Sequence, residues 1–175
     1  MFLQNAISKR INDNNPVKVA LIGAGKFGSM FLSQVPSTLG IEVLVIADLK
    51  PDNAVKACRN VGWSDDLINK TKFVDRGTDA IKLNEVEVVI EATGFPAAGI
   101  EHARQAFQNG KHIIMVNVEA DVLAGAALVK EANSAGVVYS MAYGDQPALT
   151  AEIVEWARAS GFNVTSAGKG TRYQP

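Results

Sequence analysis

Short apolar runs rich in valine and isoleucine recur along the chain, and segments with helical periodicity separate them. Most of these runs are apolar on consecutive residues, which is typical of strands that helices cover on both faces of a parallel sheet. Because strand and helix patterns alternate, the sequence predicts an α/β fold with a doubly wound, mainly parallel sheet and helices on both faces. The runs are Val17–Ile22, Val43–Ala47, Val86–Ala92, His112–Val118 and Val137–Met141.

The rest of the chain fits around these runs as helices and connections. Residues 1–16 have the pattern of one amphipathic helix, so we expect an N-terminal helical extension there and a single domain over residues 17–175. Residues 61–84 are less regular, and there we expect one short strand, Lys72–Asp75, with connecting helical turns. A chain of 175 residues is long enough for one domain with a full core, whereas two complete domains would be unusual.

A glycine motif, Gly23-Ala24-Gly25-Lys26-Phe27-Gly28, follows the first run at the change from strand to helix. In a G-x-G-x-x-G turn of the Rossmann type, the first glycine permits the tight turn and the second lets a diphosphate approach the backbone. The third lets the helix pack closely, and free amides at the helix N-terminus face the phosphates. The motif alone is weak, but its position after the first strand of a βαβ unit is the required context. We therefore expect residues 23–28 to bind a dinucleotide.

Asp48 ends the second run, twenty positions after Gly28. An acidic side chain at this distance accepts hydrogen bonds from the adenosine ribose hydroxyls. The alternative is that Asp48 only caps a helix that begins near Pro51. A carboxylate favours the 2′-hydroxyl of NAD over the 2′-phosphate of NADP, but Lys50 could offset the repulsion, so the sequence predicts NAD(P) without separating the two.

The ends of later runs carry further candidates, because ligands of open parallel sheets lie at the carboxyl ends of the strands. We expect Thr93 and Gly94 near the nicotinamide side of the cofactor. Asn117 is either a cofactor contact or a helix cap, with neither favoured. His102 and His112 have no neighbouring partner in the sequence that indicates a triad or a metal site, so we expect both to be structural and predict no metal.

Composition argues against several classes of partner. The formal net charge is −1, and no more than two basic residues are adjacent (Lys9-Arg10), which argues against a nucleic-acid partner. No apolar stretch approaches the roughly 18 residues of a membrane-spanning helix, so we expect no membrane association. Cys58 is the only cysteine, which excludes an internal disulfide and favours a reducing, cytoplasmic location.

The later motifs are more specific than the glycines. The segment from Gly110 to Phe162, with GAGKFG and EATGFP, resembles the nucleotide-binding half of homoserine dehydrogenase-like proteins. VNVEAD, YGDQPAL and AGKGT are most similar to the branch with the 1-deoxy-D-xylulose 5-phosphate reductoisomerase-like enzymes. The resemblance implies a Rossmann fold, a nicotinamide cofactor and a substrate domain after this one. By position it assigns the glycines to the phosphates, Asp48 to the ribose, and Thr93, Gly94 and Asn117 to the nicotinamide side.

Two departures from that family bear on the reaction. Val118 follows Asn117 where homoserine dehydrogenases have a lysine, which argues against the homoserine reaction itself. The chain also ends where such relatives continue, so we expect a fragment or truncation whose small-molecule substrate binds through another domain, with self-association possible. Lys169 is a weak candidate for a proton donor, because a lysine at a domain junction is more often a surface residue.

The first hypothesis is therefore the cofactor-binding domain of an NAD(P)-dependent oxidoreductase. The alternative is a stand-alone dinucleotide-binding or regulatory module without catalysis. A Rossmann-like domain for another nucleotide, such as S-adenosylmethionine, is a weaker third possibility.

Overall fold

Six strands form a single sheet in the computed structural model, which describes residues 2–144 and 146–168. The strands are β1 (Val17–Ile22), β2 (Ile41–Ala47), β3 (Lys72–Val74), β4 (Val88–Glu91), β5 (His112–Met115) and β6 (Tyr139–Met141). The helices are α1 (Phe2–Asn12), α2 (Lys26–Gln34), α3 (Pro51–Asn60), α4 (Asp65–Lys70), α5 (Gly77–Ile81), α6 (Pro96–Gln108), α7 (Val118–Ala135) and α8 (Gln146–Ala159). A 3-10 turn, Val35–Ser37, follows α2.

The strand order is β3-β2-β1-β4-β5-β6, and the pairings are parallel. The chain therefore adds β2 and then β3 on one side of β1, and β4, β5 and β6 in turn on the other side. This order is that of the Rossmann fold, with the point of reversal between β1 and β4. The predicted fold class is confirmed.

Register brings the carboxyl ends of five strands level with one another. Ile22 pairs with Ala47 on one side and with Glu91 on the other. Ala47 pairs in turn with Val74, and Glu91 with Met115. The residues that follow these ends therefore meet along one edge of the sheet.

Both faces of the sheet are buried, as the consecutive apolar residues predict. Successive β1 residues alternate between two cores: Ala20 and Ile22 belong to one, and Val19 and Leu21 to the other. The first core includes residues of α6 and α7, and the second includes residues of α2 and α3. Helices thus cover each face.

Strands β3 and β5 are shorter than the segments that predict them. The run His112–Val118 is divided because Asn117 begins a helix: its side-chain oxygen accepts a hydrogen bond from the Ala120 amide at 3.1 Å. Such a cap fixes the first turn of α7 and ends the extended conformation. The short strand predicted at Lys72–Asp75 is present as β3 and ends at Val74.

The chain divides into two compact units, Met1–Tyr139 and Ser140–Pro175. In the second unit, the Tyr143 hydroxyl donates to Glu152 Oε2 at 2.9 Å. The side chains of Ile153 and Trp156 on α8 are exposed, although their spacing is that of a core-facing stripe. Over the part of the chain that the structure describes, every helix is too short or too polar to cross a bilayer.

Candidate functional site

A cavity of about 550 Å³ opens at the carboxyl edge of the sheet, beside the point where the strand order reverses. Its walls come from the residues after β1, β2, β3 and β4, and from one face of α6. This is where ligands bind in open parallel sheets. The lining residues include Gly23 and Gly25, Asp48 and Leu49, Asp75 to Thr78, Ala92, Thr93 and Phe95, and Ala98, Glu101 and His102.

Two of the three glycines make the turn into α2 possible. Gly23 has a φ of +96°, a conformation that residues with a side chain rarely adopt. At Gly28 a Cβ would lie 2.1 Å from the carbonyl oxygen of Gly23, so only glycine lets α2 approach the loop this closely. The tight turn and the close packing both follow from the missing side chains.

Gly25 has no such reason within the protein to lack a side chain. A Cβ there would meet nothing within 4 Å, and the residue lines the cavity. Gly25 is the N-cap of α2. Among the described residues, the amides of Gly25, Lys26 and Phe27 have no acceptor, as expected for the first turn of a helix. The loop therefore leaves open space beside unpaired N–H donors.

Asp48 lies at the cavity wall and holds the glycine loop, residues 23–25, between β1 and α2. Its Oδ2 accepts a hydrogen bond from the Ala24 amide at 3.1 Å, and its Oδ1 accepts one from the Lys50 amide at 3.0 Å. The N-cap residue of α3 is Lys50 rather than Asp48. A carboxylate offers about four acceptor positions, so the half-buried Asp48 retains acceptor capacity toward the cavity.

Thr93 lines the cavity, but its hydroxyl is fully engaged with the protein. It donates to Glu91 Oε1, and it accepts from the Phe95 amide at 3.3 Å and from Asn117 Nδ2 at 3.4 Å. One donated and two accepted hydrogen bonds exhaust a hydroxyl group. The loop of residues 92–95 therefore offers the cavity no free hydroxyl group, and its other lining residues are Ala92 and Phe95.

Asn117 is buried behind that loop, with 2% of its surface exposed. It caps α7, and its Nδ2 donates to the Phe95 carbonyl at 3.0 Å. Asn117 is not a lining residue of the cavity, and neither are Ala24, Lys26, Phe27, Gly28 and Gly94. Lys169, the candidate proton donor, lies outside the described residues.

Several lining residues were not anticipated from the sequence. Asp75, Arg76 and Thr78 follow β3, and Glu101 and His102 lie on α6. The predicted strand Lys72–Asp75 could have indicated Asp75, Arg76 and Thr78. In a parallel sheet, the residues that follow each strand lie at the same edge as the ligand site. His102 had no such signal, since its partner Glu91 is eleven positions away in the chain.

Glu91 is the one fully buried carboxylate of the described core, with 0% of its surface exposed. Its Oε1 accepts from Thr93, and its Oε2 is the only buried side-chain polar atom without a partner among the residues described. Tyr139 lies close enough to Glu91 for the carboxylate charge to act on its phenol group. Burial raises the pKa of the Tyr139 phenol, and the hydrogen bond to Asp121 and the charge of Glu91 raise it further.

Comparison with known families gives two matches. The family described as "Homoserine dehydrogenase, NAD binding domain" matches residues 23–142, a range that includes nearly the whole cavity wall. The family described as "Oxidoreductase DRL, catalytic domain" matches residues 144–175. Among curated protein sequences, none matches this chain significantly.

Solved structures of dehydrogenases share the fold. A homoserine dehydrogenase from Thiobacillus denitrificans is 22% identical, with a TM-score of 0.59, over 72% of this chain and 29% of its own. A myo-inositol dehydrogenase from Lactobacillus casei, in complex with NAD(H) and myo-inositol, is 17% identical, with a TM-score of 0.64, over 83% of this chain and 42% of its own. The S. aureus homoserine dehydrogenase is 17% identical, with a TM-score of 0.53, over 72% of this chain and 32% of its own. This chain thus corresponds to less than half the length of each.

Proposed function

This chain belongs to the family of homoserine dehydrogenase NAD-binding domains, and from that premise we propose that it is the cofactor-binding domain of an NAD(P)-dependent oxidoreductase. The observation that carries the proposal is the glycine loop. It joins unpaired amides at the start of α2 to cavity space that Gly25 leaves open. Helix N-termini with free amides bind phosphate groups.

Residues that line the cavity, together with their neighbours in the chain, give its parts different chemistry. The amides of Gly25, Lys26 and Phe27 bind the diphosphate, and the spare acceptor positions of Asp48 take the adenosine ribose hydroxyls. The backbone at Thr93 and Gly94 flanks the nicotinamide side. When bound, the nicotinamide ring supplies hydride exchange at its C4 atom.

Asp48 favours NAD over NADP. Its carboxylate is held in the cavity wall by the Ala24 and Lys50 amides, so it would lie next to a 2′-phosphate and repel it. Arg76 lines the same cavity, but it does not remove that carboxylate. We expect NADH to bind at least about tenfold more tightly than NADPH, since one like-charge contact costs on the order of a kcal/mol or more.

The whole reaction needs more than this domain. The solved dehydrogenases extend far beyond the part that this chain matches, and hydride transfer requires a substrate held in position against the cofactor. We propose that a small-molecule carbonyl or alcohol substrate binds through a further domain.

Fluorescence titration with NADH and NADPH tests the proposal. The variant Gly25→Ala keeps an ordinary φ of −71° and clashes with nothing in the protein, so its thermal stability should match the wild type closely. Its methyl group lies in the space assigned to the diphosphate, so NADH affinity should fall about tenfold or more, as expected from the loss of a charge-assisted hydrogen bond. Ser33→Ala, exposed on the same helix and outside the cavity, is the matched control. If the wild type binds neither dinucleotide, or Gly25→Ala binds NADH as well as the wild type, the proposal is wrong.

A further inference from the structure

His102 and Glu91 form a pair in the wall of the cavity. His102 Nδ1 lies 3.3 Å from Glu91 Oε1, and the two residues are 9% and 0% exposed. His102 lines the cavity, whereas Glu91 lies behind it. The carboxylate is thus in position to orient the imidazole ring.

The contact with Glu91 determines which ring nitrogen of His102 carries the hydrogen. Glu91 Oε1 also accepts from the Thr93 hydroxyl, so this oxygen acts as an acceptor and Nδ1 must donate to it. In a neutral imidazole one nitrogen donates and the other accepts. The acceptor lone pair is therefore on Nε2.

Nε2 belongs to a residue that lines the cavity, and it keeps some solvent exposure. It has no hydrogen-bond partner in the described part of the chain, and it is not among the buried atoms left without one. Gly77 packs against this nitrogen, since a Cβ there would lie 2.4 Å from Nε2, so the missing side chain makes room for the imidazole ring. The described part of the protein therefore leaves the acceptor position on His102 Nε2 without a hydrogen-bond donor.

We propose that His102 Nε2 accepts a hydrogen bond from an O–H or N–H group of the bound dinucleotide, and that Glu91 is the positioning residue that fixes this tautomer. The inference rests on the proposed function. A lone pair repels phosphate, so the partner is an uncharged donor: a ribose hydroxyl or the amide of the carboxamide. Glu91 contributes by orientation and touches no ligand.

The two histidines of the chain provide an internal contrast. His112 Nδ1 accepts from the Val138 amide at 3.0 Å, so His112 carries its hydrogen on Nε2, the opposite tautomer to that inferred for His102. Nitrogen-15 NMR of histidine-labelled protein distinguishes the two tautomers, because protonated and unprotonated ring nitrogens resonate far apart. When both rings are neutral, we expect one residue of each kind.

The experiment saturates this labelled protein with NADH. The nitrogen-15 resonance of His102 Nε2 should shift in the direction expected for a ring nitrogen that accepts a hydrogen bond. The resonances of His112 should stay unchanged. Parallel titrations with ADP-ribose and with reduced nicotinamide mononucleotide identify the donor: only ADP-ribose carries the adenosine ribose, and only the mononucleotide carries the carboxamide.

Two variants test the same contact by affinity. His102→Phe keeps a flat ring without the acceptor, and the methyl group of Gly77→Ala displaces the ring, because its Cβ would lie 2.4 Å from Nε2. Each should lower the affinity for NADH about tenfold, within the usual contribution of one hydrogen bond. Glu91→Gln retains a side-chain oxygen that accepts from Nδ1, so it should preserve the tautomer, whereas Glu91→Leu should lose it. Thermal unfolding of each variant identifies any that fails to fold, and the wild-type spectrum does not depend on them.

The outcomes separate the two claims. NADH binding with no change at His102 Nε2, or with His102 in the other tautomer, overturns this inference and leaves the proposed function standing. Absence of dinucleotide binding at any concentration overturns the proposed function, and this inference with it.

Discussion

Replacing Gly28 by alanine should separate α2 from the glycine loop. The new Cβ would lie 2.1 Å from the Gly23 carbonyl oxygen and 3.1 Å from its carbon. Because both atoms belong to the backbone, no side-chain rotation relieves the contact. The helix start must retreat by about 1.3 Å to reach the 3.4 Å of an ordinary contact.

The sign of the stability change makes this variant informative. Replacing a glycine inside a helix by alanine ordinarily raises the free energy of unfolding by about 1 kcal/mol. Forcing an extra carbon into a packed contact typically costs about 1–3 kcal/mol, and the contact with a backbone oxygen places Gly28→Ala at the upper end of that range. We expect a net loss of about 1–2 kcal/mol, or a decrease in melting temperature of roughly 2–8 °C for a chain of this size.

Dinucleotide affinity should fall at the same time, because the retreat carries the amides of Gly25, Lys26 and Phe27 away from the phosphates. One lost hydrogen bond to a charged group corresponds to at least about a tenfold change in NADH affinity. Urea unfolding and NADH titration measure the two effects, with Ser33→Ala as the control on the same helix. A variant that is as stable as the wild type, or more stable, would refute the packing argument, and unchanged NADH affinity would refute its link to the site.

Three further predictions concern buried residues that do not line the cavity. Burial raises the pKa of Cys58 to about 11, so about one thiol in a thousand is ionised at pH 8; a disulfide reagent should modify the folded protein very slowly and the urea-unfolded protein rapidly, and rapid labelling of the folded form would contradict this burial. Asn117→Ala should lower the free energy of unfolding by about 2–4 kcal/mol, because it removes a helix cap and the donor to the Phe95 carbonyl. Asn117→Asp keeps the capping oxygen but turns a buried carboxylate oxygen toward the Phe95 carbonyl, so urea titration should place its stability at or below that of the alanine variant. Trp63→Phe should cost about 1–2 kcal/mol, because Nε1 donates to the buried Leu32 carbonyl at 2.7 Å, and an unchanged unfolding midpoint would exclude that contribution.

The fold could be predicted from the sequence because its signals are local. Runs such as Val17–Ile22 identify buried strands by consecutive apolar residues, and the spacing of Gly23 to Gly28 identifies the turn that follows. Their alternation then leaves few topologies open. Strand bounds were less predictable, since His112–Val118 looks continuous until the Asn117 cap divides it.

The cavity wall was only partly predictable. Gly25 and Asp48 follow from a motif with fixed spacing, and both line the cavity. The orientation of a hydroxyl does not follow from spacing: Thr93 lies in the expected loop, but its side chain is turned to Glu91 and Asn117. His102 depends on a contact between β4 and α6 that no local pattern reveals.

The proposed function depends most on the amides at the start of α2, which we propose bind the dinucleotide diphosphate. The most direct measurement is a two-dimensional ¹H–¹⁵N NMR titration of the full chain with NADH. We expect the largest amide shifts at Gly25, Lys26 and Phe27, with a smaller change at Ala24, whose amide already donates to Asp48. Saturation with NADH that leaves those three amides unmoved would contradict that proposal.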